Sequence, residues 1–484
     1  MKKITFLAVF TLLLSTPMLA QVDDDFFSHS DFQRFRDSIF NDFDSFRRQA
    51  NEEYANFMKR PWVKEPMQPP TPIPDRPEPP TPVVVDPNTP PTTDTIPFDG
   101  KLIPPKPVDP PQPLEPIEPK PNPTDVETTI YYFGTPLTFH FNFTKTPKLA
   151  SANENSVSEM WTQLSDEYYD NIIGECLRYR ESINLCDWAY ILLTKQVAET
   201  CCGTDTNESV VMHLYLLTQS GYNVRIARAS TNKLAVMLGA KETIYDYPYL
   251  YLSGLKYYVM DRSLKNQPIF VYDHAFPKEK TLSLDVTQPK LSVSLTTERT
   301  LVSKRFSNVK ATVQTNQNLI DFYNSFPQSS QWHCFAKASL SPTAKDRLYP
   351  VLREAIKGKT EAQAANILIN FVQTGFKYQT DDVQFGYERA LFPDESLYYP
   401  YCDCEDRSIL YSCLVKELLG LDVVLLHYPE HLATAVHFNE DVEGDFLMID
   451  GVKYLICDPT YIGANIGMCM PNFKSVSPIE VQKL

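Results

Sequence analysis

Gly254-Leu-Lys-Tyr-Tyr-Val-Met-Asp261 and Gly451-Val-Lys-Tyr-Leu-Ile-Cys-Asp458 carry Gly, Lys, Tyr and Asp at matched positions in two distant parts of the chain. Before each lies a helical run ending in glycine, then an apolar strand. The first runs from Ser209-Val-Val-Met-His-Leu-Tyr-Leu-Leu to Gly221 and continues as Val224-Arg-Ile. The second runs from Ser408-Ile-Leu-Tyr-Ser-Cys-Leu-Val to Gly420 and continues as Val423-Val-Leu-Leu. Glycine and final aspartate are 40 residues apart in the first and 38 in the second. A duplicated supersecondary unit explains both. The fold expected is α+β, with one copy over 126–300 and a second over 301–484.

Outward from the repeats, the composition changes sharply. Of the 40 prolines in this 484-residue chain, 24 lie between Pro61 and Pro123. The stretch 61–125, rich in Pro, Asp, Glu and Thr, predicts an extended, poorly ordered spacer. Before it, residues 21–60 hold an amphipathic helical pattern over 31–58. Phe32, Phe35, Ile39, Phe43, Phe46, Ala50, Tyr54 and Phe57 recur at steps of three and four. Such a stripe must be buried, against the protein's own body, a second copy, a partner or an envelope surface.

Residues 1–20 read as an export signal: Lys2 and Lys3, an apolar core from Ile4 to Leu14, and Ala20 at the cleavage point. No later segment has the ~20 apolar residues of a membrane span. Net charge is −15, or −17 without the two lysines, and this argues against nucleic-acid binding. With only 15 glycines and no GxGxxG or GxxxxGK[ST], phosphate loops have no support. The expected protein is exported and acidic, in the periplasm, cell envelope or outside the cell. Its ten cysteines leave room for disulfides whose connectivity sequence cannot give.

Chemistry concentrates in the second copy. Tyr401-Cys-Asp-Cys-Glu-Asp-Arg-Ser408 opens a helix with apolar positions Ile409, Cys413, Leu414 and Leu418. A cysteine where a helix begins faces unpaired N–H groups and the positive dipole end, which favour thiolate. His431 opens a strand after the Tyr428-Pro429-Glu430 turn, and Asp458 ends the strand from Lys453 to Cys457. An aspartate at a strand end can orient such an imidazole. Cys402 and Cys413 are rival nucleophiles, the first outside the helix start and the second mid-helix on its apolar face. His437 is a rival base six residues along the strand, about 20 Å away if extended. The same spacing weakens a zinc reading of His427, His431 and His437. Gln384 is either an oxyanion donor beside the Cys404 backbone N–H or a structural amide.

Cysteine on a helix, histidine on the next strand and aspartate on the following one resembles the transglutaminase-like superfamily, whose core is shared with papain-like cysteine proteases. The matching residues are Asp403-Cys-Glu-Asp406, His431 and Asp458-Pro-Thr460. The resemblance covers 360–475 and extends to uncharacterised exported Bacteroidota-type proteins. It implies Cys404 as nucleophile, His431 as general base and acid, and Asp458 as the orienting carboxylate, with no metal or organic cofactor. Counting from the glycines, the first copy has Asp205, Asn232 and Asp261 at these places, which predicts an inactive unit that serves as structure or as a substrate-binding wall. The three are expected to cluster. The activity implied is acyl transfer at amide bonds of a peptide or protein through a thioester, as a cysteine peptidase or amidase. The alternatives are a cross-linking transglutaminase and a non-catalytic envelope binding protein.

Overall fold

Two sheets of six strands dominate the structure, and their strands follow one order. The computed structural model describes residues 46–74, 83–104, 110–117, 122–265, 267–329 and 331–484. The signal reading of 1–20 and the helical pattern over 31–45 lie outside them. Residues 46–50 are helical and belong to an N-terminal unit. Residues 51–484 form one compact unit of their own.

The first sheet runs β1 (Val63–Glu65), β9 (Ile269–Val271), β5 (Val224–Ala229), β6 (Leu234–Ala240), β8 (Leu255–Val259), β7 (Tyr249–Leu252). The second runs β2 (Lys101–Ile103), β18 (Glu480–Lys483), β14 (Asp422–Tyr428), β15 (His431–His437), β17 (Val452–Cys457), β16 (Phe446–Ile449). Each has an early strand at its outer edge, then the last strand of its half, then a hairpin, then a second hairpin with its strands exchanged. They differ at the edge, where β1 pairs antiparallel with β9 and β2 pairs parallel with β18. Two-stranded pairs β3 (Val126–Tyr132) with β4 (Thr135–Phe141), β10 (Arg299–Val302) with β11 (Lys310–Val313), and β12 (Lys377–Tyr378) with β13 (Tyr401–Cys402) lie outside them. The architecture is α+β.

The proline-rich stretch departs from expectation. Its described parts are extended but not a free spacer: β1 and β2 are edge strands, Ile96 N–H donates to Phe446 O, and Val85 N–H to Ile462 O. Proline lacks an N–H, so this chain suits sheet edges, where one side of the strand needs no partner. Ile96, 1% exposed, anchors it in the core. Of the aromatic stripe, Tyr54 and Phe57 find cover within this unit. Tyr54 packs on Trp161, Tyr272 and Phe276, and Phe57 stacks on His274.

Each sheet carries one long helix against its central hairpin: Asn207–Gln219 on β5 and β6, Cys404–Leu419 on β14 and β15. In the second half, alternate strand residues fill two cores. Val423, Val436 and Leu455 meet helix residues Leu410 and Leu414, while Val424, Ala433 and Ile456 pack on the other face. Gly420, at φ +68°, ends the helix in the left-handed conformation that glycine adopts without a Cβ penalty. No helix among the described residues is long and apolar enough to cross a membrane.

Candidate active site

His431 stands opposite Tyr428 across the β14–β15 turn, so it begins its strand. β15 pairs antiparallel with β17, Thr434 opposite Cys457, which brings the start of one strand and the end of the other to the same edge of the sheet. There His431 Nε2 meets Asp458 Oδ2 at 2.8 Å, with the two side chains 0% and 3% exposed. Asp458 Oδ1 accepts the Thr460 N–H at 2.8 Å, which holds the carboxylate in place. Phe473 stacks on the imidazole, ring centres 5.1 Å apart. With Nε2 committed to the carboxylate, His431 Nδ1 is buried without a hydrogen-bond partner among the described residues.

Cys404 is the first residue of its helix, and the helix meets β15 one turn later, where Ser408 Oγ donates to Leu432 O at 2.8 Å. The sequence-derived residues therefore sit on elements in direct contact. The structure joins His431 to Asp458, but no hydrogen bond links His431 Nδ1 to the Cys404 sulfur. The thiol instead donates to Glu405 Oε2 at 3.1 Å. Cys404 is 1% exposed, so the centre is closed to solvent.

The electrostatic setting differs from the helix-start expectation. Asp381, Glu388, Asp403 and Glu405 place carboxylate oxygens within 4.8 Å of one another, and the Cys404 sulfur falls in the same neighbourhood with Asp403 and Glu405. Burial first, then the charges of Glu405, Asp381 and Asp406, push the Asp403 carboxyl well above its usual range. Burial and Glu405 do the same to Asp406. With Asp403 and Asp406 held toward their neutral forms, the field that opposes a thiolate is weakened. The four oxygens are also a donor set of the kind a hard divalent cation takes.

The rival residues have other employment. Cys402 is buried and its thiol is pushed up to about 11, chiefly by burial. Cys413, also raised by burial, donates to Glu417 at 3.6 Å. His437 Nδ1 faces Lys453 O at 3.0 Å, and His427 packs on Trp332, so these histidines do not converge with His431. Gln384 donates from Nε2 to Tyr401 O at 3.4 Å, on the short strand that precedes the Cys404 helix. All ten cysteines are free thiols.

The first half keeps the corner and changes its chemistry. Asp458 follows Cys457, which lies opposite Thr434, three residues into β15 from His431. In the first half, Asp261 follows Met260, whose N–H bonds Val236 O, three residues on from Lys233. Lys233 is thus the counterpart of His431, and its Nζ lies 2.5 Å from Asp261 Oδ2. This corrects the glycine count, which gave Asn232. That residue's carbonyl instead accepts from Asn207 Nδ2 at 3.0 Å. Asp205, Lys233 and Asp261 line one cavity of about 850 Å³. Tyr387 and Arg389, on either side of Glu388 of the carboxylate cluster, line it too. His213, inside the helix, is pushed down to about 3 by burial.

No protein-family model, curated protein or solved structure matches the chain. Sequence reading missed Phe473 over the imidazole and the carboxylates closing on Cys404. Asp403, Glu405 and Asp406 were in view as neighbours in the motif, and their density was the available signal.

Proposed function

We propose that the chain is a thiol-dependent acyl-transfer enzyme built from two transglutaminase-like, papain-like units, the first without catalytic groups and the second working through Cys404, His431 and Asp458. The observation that carries this reading is the buried His431–Asp458 pair, whose second imidazole nitrogen is left without a partner beside the helix that begins at Cys404. Asp458 fixes the imidazole and stabilises its charged form, so Nδ1 is the nitrogen that exchanges a proton with the thiol. The thiolate attacks an amide carbonyl, the protonated His431 delivers its proton to the departing amine, and a thioester remains. Water, deprotonated by His431, then releases the acid and restores the thiol. The Cys404 backbone N–H at the helix start is the first donor to the oxyanion.

In the resting arrangement the thiol bonds Glu405 and the centre is sealed, so turnover includes a movement that admits substrate and turns the sulfur toward His431. Hydrolysis is the favoured outcome, as a cysteine peptidase or amidase of the cell envelope or exterior, because water is the abundant acceptor there. A peptide bearing an electrophilic ketone tests the assignment. It should modify Cys404, and His431→Ala should suppress the modification. Labelling confined to the more exposed Cys201 and Cys202 would remove the enzyme reading and leave a binding protein. Incorporation of a labelled amine into a glutamine-containing protein in preference to deamidation would favour the transglutaminase instead.

A further inference from the structure

Asp285, His333 and Cys334 form a second cysteine–histidine–aspartate group that takes no part in the centre above. Cys334 Sγ is 3.7 Å from Asp285 Oδ1 and 3.7 Å from His333 Nε2, and Nε2 is 3.9 Å from Oδ1. A tetrahedral zinc ion, with sulfur at about 2.3 Å and nitrogen and oxygen at about 2.0–2.2 Å, holds its ligand atoms roughly 3.3–3.6 Å apart. The three atoms form a triangle only slightly wider than that. We propose that Asp285 Oδ1, His333 Nε2 and Cys334 Sγ bind a Zn²⁺ ion, which ties the segment following the first sheet to the short helix Trp332–Ala336.

The surrounding bonds orient each ligand. Gln482 Oε1 accepts the His333 backbone N–H at 2.9 Å, while its Nε2 donates to Glu480 at 2.8 Å, which fixes the amide orientation. The His333 Nδ1 contact at 3.1 Å is therefore to an acceptor, Nδ1 carries the proton, and Nε2 presents its lone pair to the triangle. Lys337 Nζ binds the other Asp285 oxygen, Oδ2, at 2.8 Å and leaves Oδ1 to face inward. Cys334 is 1% exposed, and burial with the charges of Asp285 and Glu242 holds its thiol protonated in the metal-free protein. A dication reverses that balance: the S–H bond gives way to a Zn–S bond and the proton passes to solvent. A water molecule completes the tetrahedron. One sulfur, one imidazole and one carboxylate suit zinc better than calcium or magnesium.

The full chain, stripped with EDTA and dialysed, is titrated with ZnCl₂ and with CoCl₂. About one equivalent of either should bind, and cobalt should show a near-ultraviolet thiolate charge-transfer band. Cys334→Ser should lose the band and most of the affinity, and Cys404→Ser should keep both. Asp285→Asn, at a partly exposed side chain, should weaken zinc about tenfold or more, and Gln482→Ala on the order of 10–100-fold. Asp285→Asn decides the matter should Cys334→Ser fail to fold. Undiminished affinity in folded Asp285→Asn, a band that survives Cys334→Ser or vanishes in Cys404→Ser, or no zinc bound by the folded wild type at micromolar metal would each overturn the assignment.

Discussion

At the same corner of two sheets with the same strand order, one half holds Lys233 on Asp261 and the other holds His431 on Asp458. The carboxylate is common to both, but the partner decides what the corner can do. A lysine beside a carboxylate is a fixed charge pair, whereas an imidazole exchanges protons near neutrality. Exposure separates them as well: Lys233 is 48% exposed and the His431 side chain is sealed. The first corner is a surface ion pair worth little to stability, and the second is the kind of buried pair that chemistry requires. The strand order thus persists where the carboxylate's partner changes from lysine to histidine.

The comparison breaks most readily at the nucleophile. Cys404→Ala should abolish peptide cleavage, on the order of 10⁴-fold or more in kcat, while Asp205→Ala in the first half should leave kcat within about twofold. Equal damage from both would mean that the halves share one reaction. Next comes the base. In the proposed mechanism one imidazole serves both half-reactions, so His431→Ala should cost roughly 10³–10⁴-fold, and Lys233→Met should change kcat by less than about twofold. Asp458→Ala should be milder than His431→Ala, about 10–10²-fold, since the carboxylate orients and stabilises without attacking. A loss from Asp458→Ala equal to that from Cys404→Ala would assign the carboxylate a direct role.

The matched strand order and the His–Asp pair are legible in the sequence because both rest on short local patterns: a glycine after a helix, a strand, and an aspartate at the strand's end. The first copy's base position was misread for an equally local reason. The chain takes one residue more from Gly221 to β5 than from Gly420 to β14, and the β5–β6 turn is longer than Pro429-Glu430, so a count from glycine drifts. Only the pairing of strands fixes register. The edge strands β1 and β2 were hidden by proline, which removes the alternation that marks a strand. The crowding of Asp381 and Glu388 onto Asp403 and Glu405 joins residues from separate segments, and no spacing rule links them. Asp285, His333 and Cys334 escaped notice likewise, as the aspartate is far along the chain from the other two.

The smallest effect expected is in the acid dependence of stability, where the halves should respond with opposite sign. In the first half, burial lowers His213 to about 3 from an ordinary value near 6.5, so the folded state keeps it neutral. Between those values the unfolded chain binds the extra proton, and this half should lose stability as pH falls from about 6.5. In the second half, burial raises Asp394 to about 6 and Glu395 to about 7, in the latter case despite its ion pair with Arg389. Here the folded state binds more protons than the unfolded chain, so stability should fall as pH rises from about 4.5 to 7 and level off above. Each group can contribute a slope of at most ~1.4 kcal/mol per pH unit. Hydrogen exchange by segment, corrected for intrinsic rates, separates the halves within one folded unit. Protection of the helix Asn207–Gln219 should weaken toward acid and that of the helix Cys404–Leu419 toward neutrality. His213→Gln should flatten the first response and Glu395→Gln the second. Were both helices to weaken in parallel with either pH change, the two halves would open as one cooperative body, and the contrast between their cores would have no thermodynamic consequence.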